Sequence, residues 1–93
     1  MTDYEIYTNA ATAAFKTYYE TFRKQTPEDN DQGHVINIAR SVMMTRDGLD
    51  SGGSFVQSII ENDLSASVGR ADSVCVQCLP FFVYCKLYVQ PSH

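Results

Sequence analysis

Three observations predict an all-α domain over most of this 93-residue chain. Aromatic and small apolar residues recur every three or four positions from Tyr4 to Phe22, the spacing that places them on one helix face. Ser, Thr and Asp stand just ahead of the apolar runs, where their side-chain oxygens can accept from the free N–H groups of a helix start. Gly and Pro punctuate the intervals at 25–33 and 47–53. Only the last third reads two ways.

The first helix opens at "TDYE", where Thr2 precedes Glu5 by three residues, a capping-box spacing. Its stripe is Tyr4, Tyr7, Ala11, Phe15, Tyr18 and Phe22, and Arg23 and Lys24 suit the negative pole at its end. "QTPEDNDQG", 25–33, reads as a loop. A second helix is expected from about His34 to Asp47, with Val35, Ile38, Ala39, Val42 and Met43 inward and Gly48 as a left-handed stop. After the turn "DGLDSGG", Ser54 and Gln57 repeat the capping-box spacing and open a third helix, whose buried side continues through Phe55, Ile59, Leu64 and Val68. Asn62 and Asp63 offer caps for a restart within it.

Over 74–89, Val74, Val76, Phe81, Phe82, Val83, Tyr84, Tyr88 and Val89 favour strands, which gives an alternative α+β fold with a C-terminal hairpin. Yet Cys75, Cys78, Leu79, Phe82, Cys85, Lys86 and Val89 keep helical spacing behind Asp72 as an N-cap. The residues leave helix and hairpin both open.

Composition narrows the function classes. The length suits one domain with a modest core. No apolar run approaches the roughly 20 residues of a membrane span. Net charge is −4 and no stretch clusters Lys and Arg, which argues against a protein that tracks nucleic-acid phosphates. The first sixteen residues lack a basic and an apolar segment of signal-peptide type, and three cysteines are an odd number. Reduced thiols and a cytoplasmic location are therefore expected.

Cys75-Val-Gln-Cys78 is a CxxC, but no strand precedes it as a thioredoxin-type site requires. A structural zinc site needs four ligands; Cys85 would be the third, and only His34 or His93 could complete it. Buried packing is the ordinary role of such cysteines, so no metal and no cofactor is expected. His34 and His93 have no Ser, Cys or carboxylate at a diagnostic spacing, and no catalytic residue is expected either. Met43 and Met44 read as one core residue and one at its edge.

The stretch "GGSFVQSIIENDLSASVGRAD", followed by "LP", resembles a pattern found in a group of small helical proteins of bacteriophages and other mobile elements. The matching positions are Gly53, Phe55, Ile59, Ile60, Asn62, Asp63, Leu64, Arg70, Ala71, Asp72, Leu79, Pro80, Val83 and Pro91, so the resemblance covers 47–91. The chain departs from the pattern at Cys75, where the group carries Asn, and at Tyr88. The resemblance implies helical architecture, a phage or mobile-element setting in a bacterial host cell, and no enzymatic activity. It favours helix for 73–89 with a kink at Pro80, and so a bundle of about four helices.

The expected function is thus non-catalytic binding of a host or phage protein complex, extending to inhibition of a host defence machine of CRISPR or restriction type. Candidate partner-binding residues are Asn62, Asp63, Arg70 and Asp72, alongside their ordinary role as helix caps and a pairing arginine, and Tyr4, Tyr7, Tyr18 and Tyr19, because tyrosine is enriched at interfaces. The doubly apolar last helix points to a homodimer. Two further readings come from other classes: a nucleic-acid-associated regulator using Arg40, Arg46 and Arg70, and a metal or redox protein using Cys75, Cys78 and Cys85.

Overall fold

Two long helices and four short ones make up the described part of the chain: α1 (Asp3–Thr21), α2 (Asp29–Arg46), α3 (Ser54–Ile60), α4 (Leu64–Arg70), α5 (Ser73–Gln77) and α6 (Leu79–Tyr88). This computed structural model describes residues 1–70 and 72–91, apart from the side chains of Leu64 and Arg70. Among the described residues there is no strand, so the hairpin alternative for 74–89 falls away.

Thr2 caps α1 as its spacing predicts: its hydroxyl accepts from the Glu5 N–H at 3.2 Å. The same hydroxyl donates to the Glu5 carboxylate at 3.2 Å, so glutamate bonds the threonine side chain. Arg23, at φ 52°, turns the chain out of the helix. The loop that follows is shorter than expected, because α2 begins at Asp29, five residues ahead of His34. Asp29 and Asp31 lie in that first turn, where their charge favours the positive helix end, and Gly33 is carried inside the helix. Gly48 ends the helix region in the left-handed conformation, at φ 79°.

Gly53, not Ser54, is the N-cap of α3, which moves Gln57 out of capping-box register. Its side-chain amide donates to the Ser51 carbonyl instead. The constrained glycine is Gly52, at φ 62°: a Cβ there would stand 2.8 Å from Thr45 Oγ1 and 2.9 Å from Val56 Cγ1. The chain restarts as α4 at Asn62-Asp63, as its residue types predict. The expected kinked last helix is a break: Cys78, at φ −95° and ψ 4°, separates α5 from α6, and Pro80 sits in the first turn of α6. Proline there loses no needed hydrogen bond, whereas inside a continuous helix it would.

The core lies between α1, α2 and α6. Val35, Ala39, Val42 and Met43 of α2 are fully buried with Phe81, Phe82 and Cys85 of α6, and Met44 sits at the edge. The Phe81 ring lies 5.6 Å from Phe15, 5.4 Å from Tyr18 and 5.7 Å from Tyr19, so α6 runs into an aromatic wall on α1. Full burial of a ring of this size contributes about 3 kcal/mol. Val68 departs from its expected role and is exposed. The Cα radius of gyration is 12.2 Å, close to the ~12 Å of a single folded unit of this length.

Candidate functional site

Asn62, Asp63 and Asp72 act first at helix ends. Asn62 adopts φ 61°, and its Oδ1 accepts from Lys86 Nζ at 2.6 Å. The same ammonium donates to the carbonyls of Ile59 and Ile60 at 3.1 and 3.0 Å, so a side chain of α6 closes the end of α3. Asp63 accepts from the Ala66 N–H at 3.0 Å and starts α4. The buried Ser58 and Ser67 hydroxyls meet at 2.8 Å and tie α3 to α4. Arg70's side chain and His93 lie outside the described residues.

Asp72 does more than cap. Its Oδ1 accepts from the Cys75 N–H at 2.8 Å, which holds its carboxyl below the usual carboxylate range. Its Oδ2 lies 3.4 Å from His34 Nε2, reaching across from α5 to α2. Cys75 Sγ lies 3.6 Å from that same nitrogen. The histidine with no partner near it in the sequence thus has a carboxylate and a thiol beside it, and the CxxC partner Cys78 is elsewhere. Cys78 Sγ accepts from the Tyr19 hydroxyl at 3.4 Å. All three cysteines are buried, and burial raises the Cys78 thiol and pushes the Cys75 and Cys85 thiols to about 12. Thiolate chemistry near neutrality is therefore disfavoured at each in the metal-free protein.

Three of the four candidate tyrosines stand in the core. Tyr7, Tyr18 and Tyr19 are buried. The Tyr7 hydroxyl donates to Asp47 at 2.7 Å, and that bond to a carboxylate is the main cause of a pKa raised to about 12. Tyr18 packs 5.2 Å from Tyr84, joining α1 to α6. Tyr4 alone is exposed, with the Arg40 guanidinium 4.2 Å from its ring centre. Arg46 is also engaged: it pairs with Asp47 and donates to the carbonyls of Cys85, Lys86 and Val89 at 3.1, 3.1 and 2.7 Å, closing the end of α6.

The outer face of α6 is the second apolar side behind the expected homodimer, although none of its residues is among the candidates. Val83, Leu87 and Tyr88 are 37%, 56% and 71% exposed. The helix carries one charged residue, Lys86, and that side chain is bonded to the end of α3. Beside this ridge runs an open groove of about 560 Å³, floored by small residues of α1 (Ala10, Ala13, Ala14) and walled by Tyr84 and Tyr88. The signal for it was present in Val83-Tyr84 and Leu87-Tyr88, apolar pairs four residues apart that cannot share one buried face with Phe81 and Phe82.

No helix among the described residues is long and apolar enough to cross a membrane. Comparison of the chain with protein-family models, with curated proteins and with solved structures found no match in any of the three.

Proposed function

We propose that this chain is a non-catalytic protein that acts by binding another protein, and that the outer face of α6 is the surface it uses. The observation that carries this reading is an uncharged ridge of Val83, Leu87 and Tyr88, well exposed next to a groove of small residues. Apolar ridges with exposed tyrosine are what protein interfaces bury. The phage or mobile-element setting rests on the 47–91 sequence pattern and makes a host defence complex the class of target. Arg40 lies on Tyr4 and Arg46 on the end of α6, which supports a protein partner over nucleic acid.

The test is a pull-down from host lysate with the tagged chain, at low and high salt, beside Leu87→Asp and Tyr88→Asp variants. The expected result is a stoichiometric protein retained at high salt and lost with either variant. Nucleic acid lost at high salt would replace this reading with the regulator. Recovery of a second copy of the chain alone would replace it with self-assembly through the same face.

A further inference from the structure

The cluster at the start of α5 has an unusual feature, independent of the α6 face. Asp72 Oδ2 and Cys75 Sγ both approach one ring nitrogen, His34 Nε2, at 3.4 and 3.6 Å. A neutral imidazole nitrogen offers either one hydrogen or one lone pair. As N–H it can be aimed at the carboxylate, which the Cys75 thiol also bonds, and as an acceptor it can receive the thiol hydrogen instead. A Cys–His–Asp nucleophile would place thiol and carboxylate on opposite ring nitrogens, with the carboxylate orienting the ring. Here both face the same nitrogen.

Hydrogen bonds centred on Asp72 can tie the three groups together, and the same three atoms are also spaced to share a cation. With zinc bonds of about 2.0 Å to N and O and about 2.3 Å to S, a tetrahedral centre separates N from O by about 3.3 Å and N from S by about 3.5 Å. Those are close to the two separations found. All three ligand atoms lie within 4.8 Å of one another. The remaining edge, from carboxylate to sulfur, would have to close to about 3.5 Å if it is wider than that. Asp72 and His34 can supply such a movement, because their side chains are 59% and 48% exposed. Cys75 is 3% exposed and fixes the inner corner. The Cys75 N–H, donating to Asp72 Oδ1, leaves Oδ2 as the ligand atom and orients the carboxylate, as outer hydrogen bonds do at metal sites.

We infer that His34, Asp72 and Cys75 bind one zinc-class divalent ion, with a fourth position open to solvent. On binding, the Cys75 S–H bond gives way to an S–metal bond and the proton leaves to water. The ion joins α5 to α2. Neither Cys78, the second cysteine of the CxxC, nor Cys85 takes part.

The experiment titrates the full chain, stripped with chelator, with Co²⁺ followed by Zn²⁺. The expected outcome is one Co²⁺ per chain, a thiolate-to-cobalt charge-transfer band, and its displacement by Zn²⁺. His34→Gln, at an exposed position, should weaken binding roughly tenfold or more. Cys75→Ser should abolish the band, and Cys78→Ser should leave it intact. Should Cys75→Ser fail to fold, His34→Gln decides the question through loss of the zinc-dependent rise in melting temperature. The inference is overturned if the wild-type chain shows no band, if the band survives Cys75→Ser, or if His34→Gln binds as the wild type does.

Discussion

The first half of the chain and the second half solve the same problem differently. α1 and α2, at 19 and 18 residues, are long enough for many internal hydrogen bonds and are held by packed stripes. The four helices that follow have 7, 7, 5 and 10 residues, lengths at which a helix is not stable alone. Each of them is finished by a side chain. Lys86 closes α3, Asp63 opens α4, Asp72 opens α5 and Arg46 closes α6. Two of these four come from a different helix, so the second half depends on tertiary contact even for its backbone bonds. Short helices here are a product of the fold, whereas the long ones are its premise.

The severest way to break this contrast is Phe81→Ala. Phe81 joins both halves, and its loss should cost about 4 kcal/mol in urea unfolding. One transition should persist, with amide protection falling in α1 and α6 together. Survival of protection in 3–46 alone would mean that the long helices stand without the rest. Next comes Arg46→Met, which frees three carbonyls at the end of α6 and leaves Asp47 beside Tyr7 without its cation. A loss of about 3 kcal/mol is expected, with hydrogen exchange rising most in 79–89 and least in 3–15.

Alkali should act on the join itself. Cys85 is fully buried, and its thiol is raised from 9.0 to about 12 in the folded chain. A raised pKa contributes stability that is intact below pH 9 and is lost as pH climbs towards 12. Its share should be about 1.4 kcal/mol per pH unit in that window. Cys85→Ala should flatten the pH dependence of the melting temperature there by that share.

Smaller changes sharpen the contrast. Asp63→Ala and Asp72→Ala should each cost about 1 kcal/mol, with local exchange confined to α4 and α5. Gly33→Ala should have the opposite sign. A Cβ at Gly33 meets nothing within 4 Å, so an alanine there should stabilise α2 by about 0.7 kcal/mol in thermal or urea unfolding.

Much of the fold was legible where its causes are local. The middle of the α1 stripe (Tyr7, Ala11, Phe15 and Tyr18), the Thr2 and Asp72 caps, the restart at Asn62-Asp63 and the left-handed Gly48 all follow from residues within a turn of one another, whereas the expected ends of that stripe, Tyr4 and Phe22, are exposed. The start of α2 was not, because Asp29, Asn30, Asp31 and Gly33 have the composition of a loop and become helical in a folded context. Tyr7, Tyr18 and Tyr19 are amphipathic, and nothing in their spacing says which rings meet α6. Nor can local capping rules find Lys86 or Arg46, which reach carbonyls 26 to 43 positions away. His34 and Cys75 are likewise 41 positions apart, so the cluster at α5 exists only once α2 and α5 are side by side.

The Lys86 clasp has a consequence in time. The ammonium that satisfies the end of α3 belongs to a residue 26 positions beyond Ile60. At a synthesis rate of about 5–20 residues per second, it is added roughly one to five seconds after the carbonyls it serves. α3, at 7 residues not stable alone, therefore gains its closed end only when α6 docks, so it is completed late and together with the C-terminal helix.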